Sequence, residues 1–380
     1  MFNTLWPWLI LVTIYGACIG SFLNVVIYRL PREQSLTTPG SRCPGCGKPI
    51  AWYDNLPILS WLILRARCRH CQTPISVAYP LVEAVTALLF ATLFAIYYFI
   101  PQLATDFYDA GFFASWPALI VHLTLLAALV AATVIDAKLF IIPLRIPWFA
   151  LTVAVIVLPL AVALNWQTHI TGIIHTAIGW QFALGVGGVV GLAVAFALLH
   201  WRIIPQSFQE LHDQIADPEP PDEFLNHPHP RREVLKELLF VAFPLAGAAI
   251  GALAVHFNLL NAQTLPPWAA TLGGILVGFL VGGALVWATR ILGTLAFGKE
   301  AMGLGDVHLL AAIGAVLGPV DAVLVFFLAP FFGLVAAVAL AGLAALIKGQ
   351  VRMIPYGPYL AAATLLVMIA REPIIRGLGY

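Results

Sequence analysis

Charge is the scarcest feature of this chain: Asp, Glu, Lys and Arg make up 10% of its 380 residues, 18 acidic and 19 basic. Hydrophobic residues reach 61% and mean hydropathy is +0.94, which excludes an ordinary water-soluble domain. The net charge of +1 argues neither for nor against a nucleic-acid partner, and none is expected. Alternating segments about ten residues long are also missing, which argues against a β-barrel. What the chain has instead are apolar runs of the roughly 20 residues needed to cross about 30 Å of hydrocarbon. The expected fold is an all-α polytopic membrane protein of about eight to ten helices in a lipid bilayer.

The absences also orient the chain. No charged residue precedes Arg29, yet Arg29, Arg32, Arg42, Lys48, Arg65, Arg67 and Arg69 follow in quick succession. The positive-inside rule puts this loop in the cytoplasm and the N-terminus outside. A cleaved signal peptide needs positive charge before its apolar run and a small-residue site after it. Neither is present, so the first helix is expected to remain as an anchor.

Apolar segments fall at 5–28, 80–101, 115–135, 147–165, 178–201, 238–256, 267–294, 306–318, 320–347 and 354–370, the 306–318 stretch being short for a span. Alternation from an outside N-terminus leaves 29–79, 136–146, 202–237, 295–305 and 348–353 in the cytoplasm. Those loops carry Lys138, Arg145, Arg202, Arg231, Arg232, Lys236, Lys299, Lys348 and Arg352, whereas 102–114, 166–177 and 257–266 have no Lys or Arg. Arg371 and Arg376 fit the asymmetry less well. The segment 202–237 holds eight of the 18 acids among prolines and His212, His227 and His229. It reads as a solvated loop, since no metal-ligand spacing recurs in it. No sequence repeat is evident.

"CPGC" at Cys43 and Cys46 and "CRHC" at Cys68 and Cys71 are two knuckles inside the first cytoplasmic loop. Paired Cys-x2-Cys units at this spacing read as a tetrahedral, four-thiolate zinc site. A reducing compartment disfavours the alternative disulfides. Arg67, Arg69 and Lys48 are near enough in sequence to offset the thiolate charge. A closed shell of four thiolates leaves no open position for substrate, so the metal is structural. Cys18 is expected to pack in the first helix, and Gly16 and Gly20 of "GACIG" to form a helix contact.

Ionisable groups in membrane helices are costly and are functional candidates by default. Setting aside acids in the polar loop, Asp136 in "ATVIDAKLFIIP" and Asp306 in "GLGDVHLL" both fall at cytoplasmic helix ends. Two carboxylates held together cannot both ionise cheaply, so one keeps a proton while the other acts as base. That is the chemistry of aspartic peptide hydrolysis. Gly303 and Gly305 form a supporting turn that lets an extended peptide approach Asp306. Taken alone, Asp306 also reads as a helix N-cap.

These features occur together and in order. "GSFLNVVIYRLP", the cysteine loop with "NLPILSWL", "PISVAYPLVE", Asp136 and "MGLGDVHLLAAIGAVLG" closely resemble the bacterial type IV prepilin peptidases over most of the chain. The resemblance implies an inner-membrane aspartic endopeptidase that removes the basic leader of prepilins or pseudopilins at the cytoplasmic face. It also implies an N-methyltransferase that uses S-adenosylmethionine, with the cysteine loop tied to the methylation half. Asp136 and Asp306 take the catalytic roles by that resemblance. The implied organisation is residues 1–101, comprising the first helix, the cysteine loop at 29–79 and the second helix, followed by a peptidase domain at 115–370. Residues 178–256 look like an inserted helical hairpin in a typically eight-helix family.

Three points qualify the match. Leu144 stands where the family usually has a second acid, which favours Asp136. His308 stands where it usually has Lys. No G-x-G-x-x-G follows a strand, so no residue is assigned to the methyl donor. Glu33 and Glu83 are candidate partners for a basic leader. Presenilin-like proteases share Gly-x-Gly-Asp but lack the four-cysteine loop. A zinc-stabilised scaffold or transporter is the non-catalytic alternative.

Overall fold

The computed structural model describes residues 2–164, 176–177, 179–207, 230–259, 265–347 and 355–377. In chain order its helices are α1 (Phe2–Arg29), the short α2 (Leu59–Ile63), α3 (Ala78–Phe99), the short α4 (Thr105–Ala110), α5 (Phe112–Leu139) and α6 (Arg145–Ala163). They continue as α7 (Gly179–His200), α8 (Pro230–His256), α9 (Pro267–Phe297), α10 (Leu304–Leu317), α11 (Pro319–Ile347) and α12 (Gly357–Gly377). Among the described residues, nine are long and apolar enough to cross a membrane, and no strand is found. Together with α10 they account for all ten apolar segments.

The 14-residue α10 lies at the centre. From Asp306 to Val316 every residue except His308 is buried, against α5, α6, α9, α11 and α12. Such an element meets no lipid, so its length is not bound by the thickness of the bilayer. Close backbone contact replaces bulky side chains here, with Gly278 of α9 set directly on Gly314 of α10. In the same way Gly16 lies against the Ala87 backbone and Gly20 against that of Glu83, which makes "GACIG" the contact face between α1 and α3. Interfaces built on small residues gain dispersion contact that the apolar effect cannot supply in lipid. Cys18, expected to pack, is exposed on the other side of α1, because a residue two positions from Gly16 and Gly20 points away from their face.

Helix alternation brings the connections at 30–77, 140–144 and 298–303 to one end of the bundle, and those at 100–111 and Gly318 to the other. At the second end Arg371 makes two 3.0 Å bonds to the buried carboxylate of Asp321, and Arg376 pairs with Glu372. The two cations that fitted the charge asymmetry poorly are thus matched by local acids.

The solvated reading of 202–237 fails at the C-terminal end of that segment, while Arg202, Pro205 and Gln206 at its start are exposed. α8 already begins at Pro230, and Glu233 and Glu237 in its first turns are buried. Glu237 is drawn in by Arg290 of α9, whose Nε donates to its Oε1 at 2.7 Å. A partner 53 positions away makes this burial invisible to local composition. His212, His227 and His229 lie outside the described residues, as do Lys348 and Arg352.

Candidate active site and cysteine cluster

The four cysteines come together. The sulfurs of Cys43, Cys46, Cys68 and Cys71 all lie within 4.8 Å of one another, with Cys43 and Cys71 3.6 Å apart. Four thiolates around a tetrahedral ion at about 2.3 Å would sit about 3.8 Å from each other. This group can hold a metal ion.

The loop also contains a repeat that the sequence reading passed over. "CPGCGKPI" and "CRHCQTPI" align as Cys-x2-Cys-x2-Pro-Ile, and their backbones match. Cys43 N–H donates to Lys48 O and Cys68 N–H to Thr73 O; Gly47 N–H donates to Cys43 O and Gln72 N–H to Cys68 O. Each turn needs a left-handed residue, Gly47 at φ 68° and Gln72 at φ 57°, and two identical short bridges close them, Arg42 with Pro49 and Arg67 with Pro74. The two matched turns point their thiols at a common centre. Arg69 does not face that centre. It forks onto Asp54 at 2.8 and 2.6 Å and holds that carboxyl below its usual range.

Glu83 is the anchor between this loop and the bundle. Its Oε2 accepts the Ile58 N–H at 2.7 Å, and Ile58 is strained, at φ 62°. A buried carboxylate already bound to the backbone of its own chain is poorly placed to receive a basic peptide. Glu33, exposed and at φ 54°, remains open to solvent.

Asp136 occupies the last turn but one of α5, buried. Phe140, in the left-handed conformation, stops that helix by donating its N–H to Asp136 O. The carboxylate Oδ2 accepts the N–H of Gly357, the first residue of α12, at 2.9 Å. A helix N-terminus favours negative charge there. Gly357 is required by closeness: a Cβ would come 2.6 Å from Asp136 Oδ2 and 3.1 Å from Ile142 Cδ1.

Asp306 stands in the first turn of α10, where Gly303 is the N-cap. Its N–H donates to Gly303 O at 3.2 Å. The N-cap reading of Asp306 is thereby corrected: the cap is Gly303, and Asp306 is the third helical residue. The charge of Asp136 reaches Asp306, and Ile142 touches both halves of the site. A Cβ on Gly305 would lie 2.8 Å from Ile142 Cβ. The sharp turn expected of the two glycines is not what they supply. Gly303 is extended at φ −69° and neither has positive φ, so the need at Gly305 is contact with the 140–144 connection.

Two groups near Asp306 were missed from sequence. Tyr356 is half buried and immediately precedes Gly357, the residue that binds Asp136. The signal was the Tyr-Gly-Pro-Tyr run opening α12. The second is Arg290, buried, the single charge in α9. It donates to Glu237 at 2.7 Å, to Glu300 and to Met302 O, and its charge reaches Asp306. A search confined to carboxylates overlooked it. His308 is half buried with its ring 5.8 Å from that of Trp148, and Leu144 is exposed at the start of α6.

Comparison with known proteins adds to this geometry. Residues 14–97 match the family model for the bacterial peptidase A24 N-terminal domain, and 231–338 match that of the type IV leader peptidase family. The first range contains the four cysteines and Glu83, the second Arg290 and Asp306. Asp136 lies between them. A "prepilin leader peptidase/N-methyltransferase" of Aeromonas hydrophila is 29% identical over 97% of this chain and 94% of its own length. One of Klebsiella pneumoniae is 35% identical over 50% of this chain and 85% of its own. A third, of Myxococcus xanthus, is 65% identical over 77 residues, 20% of this chain and 23% of its own. No solved structure matches the chain.

Proposed function

Since the chain belongs to the type IV leader peptidase family, we propose that Asp136 and Asp306 are the catalytic pair by which it cuts the leader from prepilins. It is a multi-pass membrane protein, a peptidase joined to an N-methyltransferase. The observation that supports the pair is the convergence of two buried carboxylates from α5 and α10 at one end of the bundle, both at helix N-termini, with Ile142 packed against Gly357, which binds Asp136, and against Gly305, which precedes Asp306. One carboxylate takes a proton from water, whose oxygen attacks the peptide carbonyl. The other, protonated, donates to the carbonyl oxygen, and collapse of the tetrahedral adduct breaks the C–N bond as the amine receives a proton. The site end is the cytoplasmic end of an inner-membrane protein, which suits a client whose basic leader stays inside, whether prepilin or pseudopilin.

The thiolate donor set and its spacing fit zinc, which would lock the two turns of the 30–77 loop. S-adenosylmethionine is the methyl donor that the transferase implies. The described residues contain no strand, Gly-rich turn and helix to cradle it, so none is assigned to it.

The function is tested by expressing the chain with a prepilin and measuring the product mass. The leader is expected to be lost and the new N-terminus to carry a methyl group; a prepilin that keeps its leader would sink the reading. Separately, Cys43→Ser is expected to lower bound zinc from about one ion per chain to almost none and to remove methylation while leaving cleavage. Zinc still bound near one per chain in that variant would refute the four-thiolate assignment.

A further inference from the structure

Beyond the carboxylate pair, and resting on the peptidase reading of it, we propose that Arg290 is a positioning residue for Asp306 and that the α7–α8 hairpin supplies the carboxylate that orients it. The guanidinium is buried in α9 and offers a planar fork of donors. Its Nε binds Glu237 of α8 at 2.7 Å, and one terminal nitrogen binds both Glu300 and the Met302 carbonyl. Met302 immediately precedes Gly303, whose carbonyl accepts the N–H of Asp306 at 3.2 Å. The connection from hairpin to catalytic carboxylate is therefore continuous: Glu237, Arg290, Met302, Gly303, Asp306.

Other contacts fit this role. Ser207, just beyond α7, also donates to Glu237 Oε1 at 3.4 Å, so both arms of the hairpin reach that carboxylate. Lys236 is engaged by Glu233 at 2.7 Å, leaving Glu237 to the arginine. Ala301 N–H donates to Thr294 Oγ1 at 3.4 Å, a second tie between α9 and the connection. The hairpin in turn packs on α9 through small residues, Gly185 of α7 lying against Gly273 and Leu276. A hairpin with no part in the site would not need to send a buried acid to the base of the catalytic turn.

A buried ion pair that served folding alone could be exchanged for apolar residues without loss. The test therefore uses the full-length enzyme with Arg290→Lys, which keeps the charge but not the fork, and the double variant Arg290→Met with Glu237→Leu. Both are expected to lose about 100-fold in kcat for prepilin cleavage, the cost of a displaced catalytic group, with KM near the parent value. Amide exchange is expected to rise in 298–306 and to stay unchanged in α3. Parent-like kcat in the double variant would overturn the proposal. The exchange measurement needs no substrate, so unchanged protection of 298–306 in Arg290→Lys overturns it even if the substrate has been misassigned.

Discussion

Asp306→Asn is expected to abolish leader cleavage, lowering kcat by at least about 10⁴-fold while the protein still folds. The amide has the shape of the carboxylate, so what it loses is the capacity to take or give a proton. This separates the two readings of the residue by magnitude. An aspartate that only caps α10 would cost about 1 kcal/mol of stability when replaced and nothing in rate. Asp136→Asn is expected to be equally inactive, and the double variant no worse than either single one, because members of one catalytic unit do not add. Cleavage assayed in membranes with a purified prepilin decides the matter. If Asp306→Asn cuts at the parent rate, the aspartyl mechanism is wrong.

The second large effect is expected at Gly357. Its Cβ-less backbone sits against Asp136 Oδ2, and a methyl group there would lie 2.6 Å from that oxygen. The obstacle is the tip of a side chain rather than a backbone, so the carboxylate is what yields. The cost should appear in activity, not in folding. Gly357→Val is expected to lose about 100-fold in kcat, as a catalytic group displaced by about 1 Å does, with thermal stability close to that of the parent; Gly357→Ala should lose less. A kinetic comparison beside a thermal melt tests it. Full activity in Gly357→Val would mean that the hydrogen bond from α12 does not set the position of Asp136.

The two residues illustrate what could be read in advance. The ten segments, and with them the placing of both aspartates at one end of the bundle, followed from apolar length and helix alternation, because the bilayer imposes a local rule on every span. The cysteine cluster followed from spacing alone. The bond between Asp136 and Gly357 spans 221 positions and leaves no local trace, since a glycine before a proline at a helix start is ordinary. Glu237 looked solvated for a related reason: its counter-ion is on another helix. Arg290 was legible in principle as a lone charge within an apolar run, and the repeat of Cys-x2-Cys-x2-Pro-Ile was legible outright.

The shortness of α10 has a consequence of its own. Fourteen residues rise about 21 Å, roughly 9 Å less than the hydrocarbon thickness its neighbours must span. A helix that short, buried from Asp306 to Val316 apart from His308 and packed on five other helices, takes its depth from those contacts and not from the bilayer. The height at which Asp306 sits is therefore set by the protein's own interior.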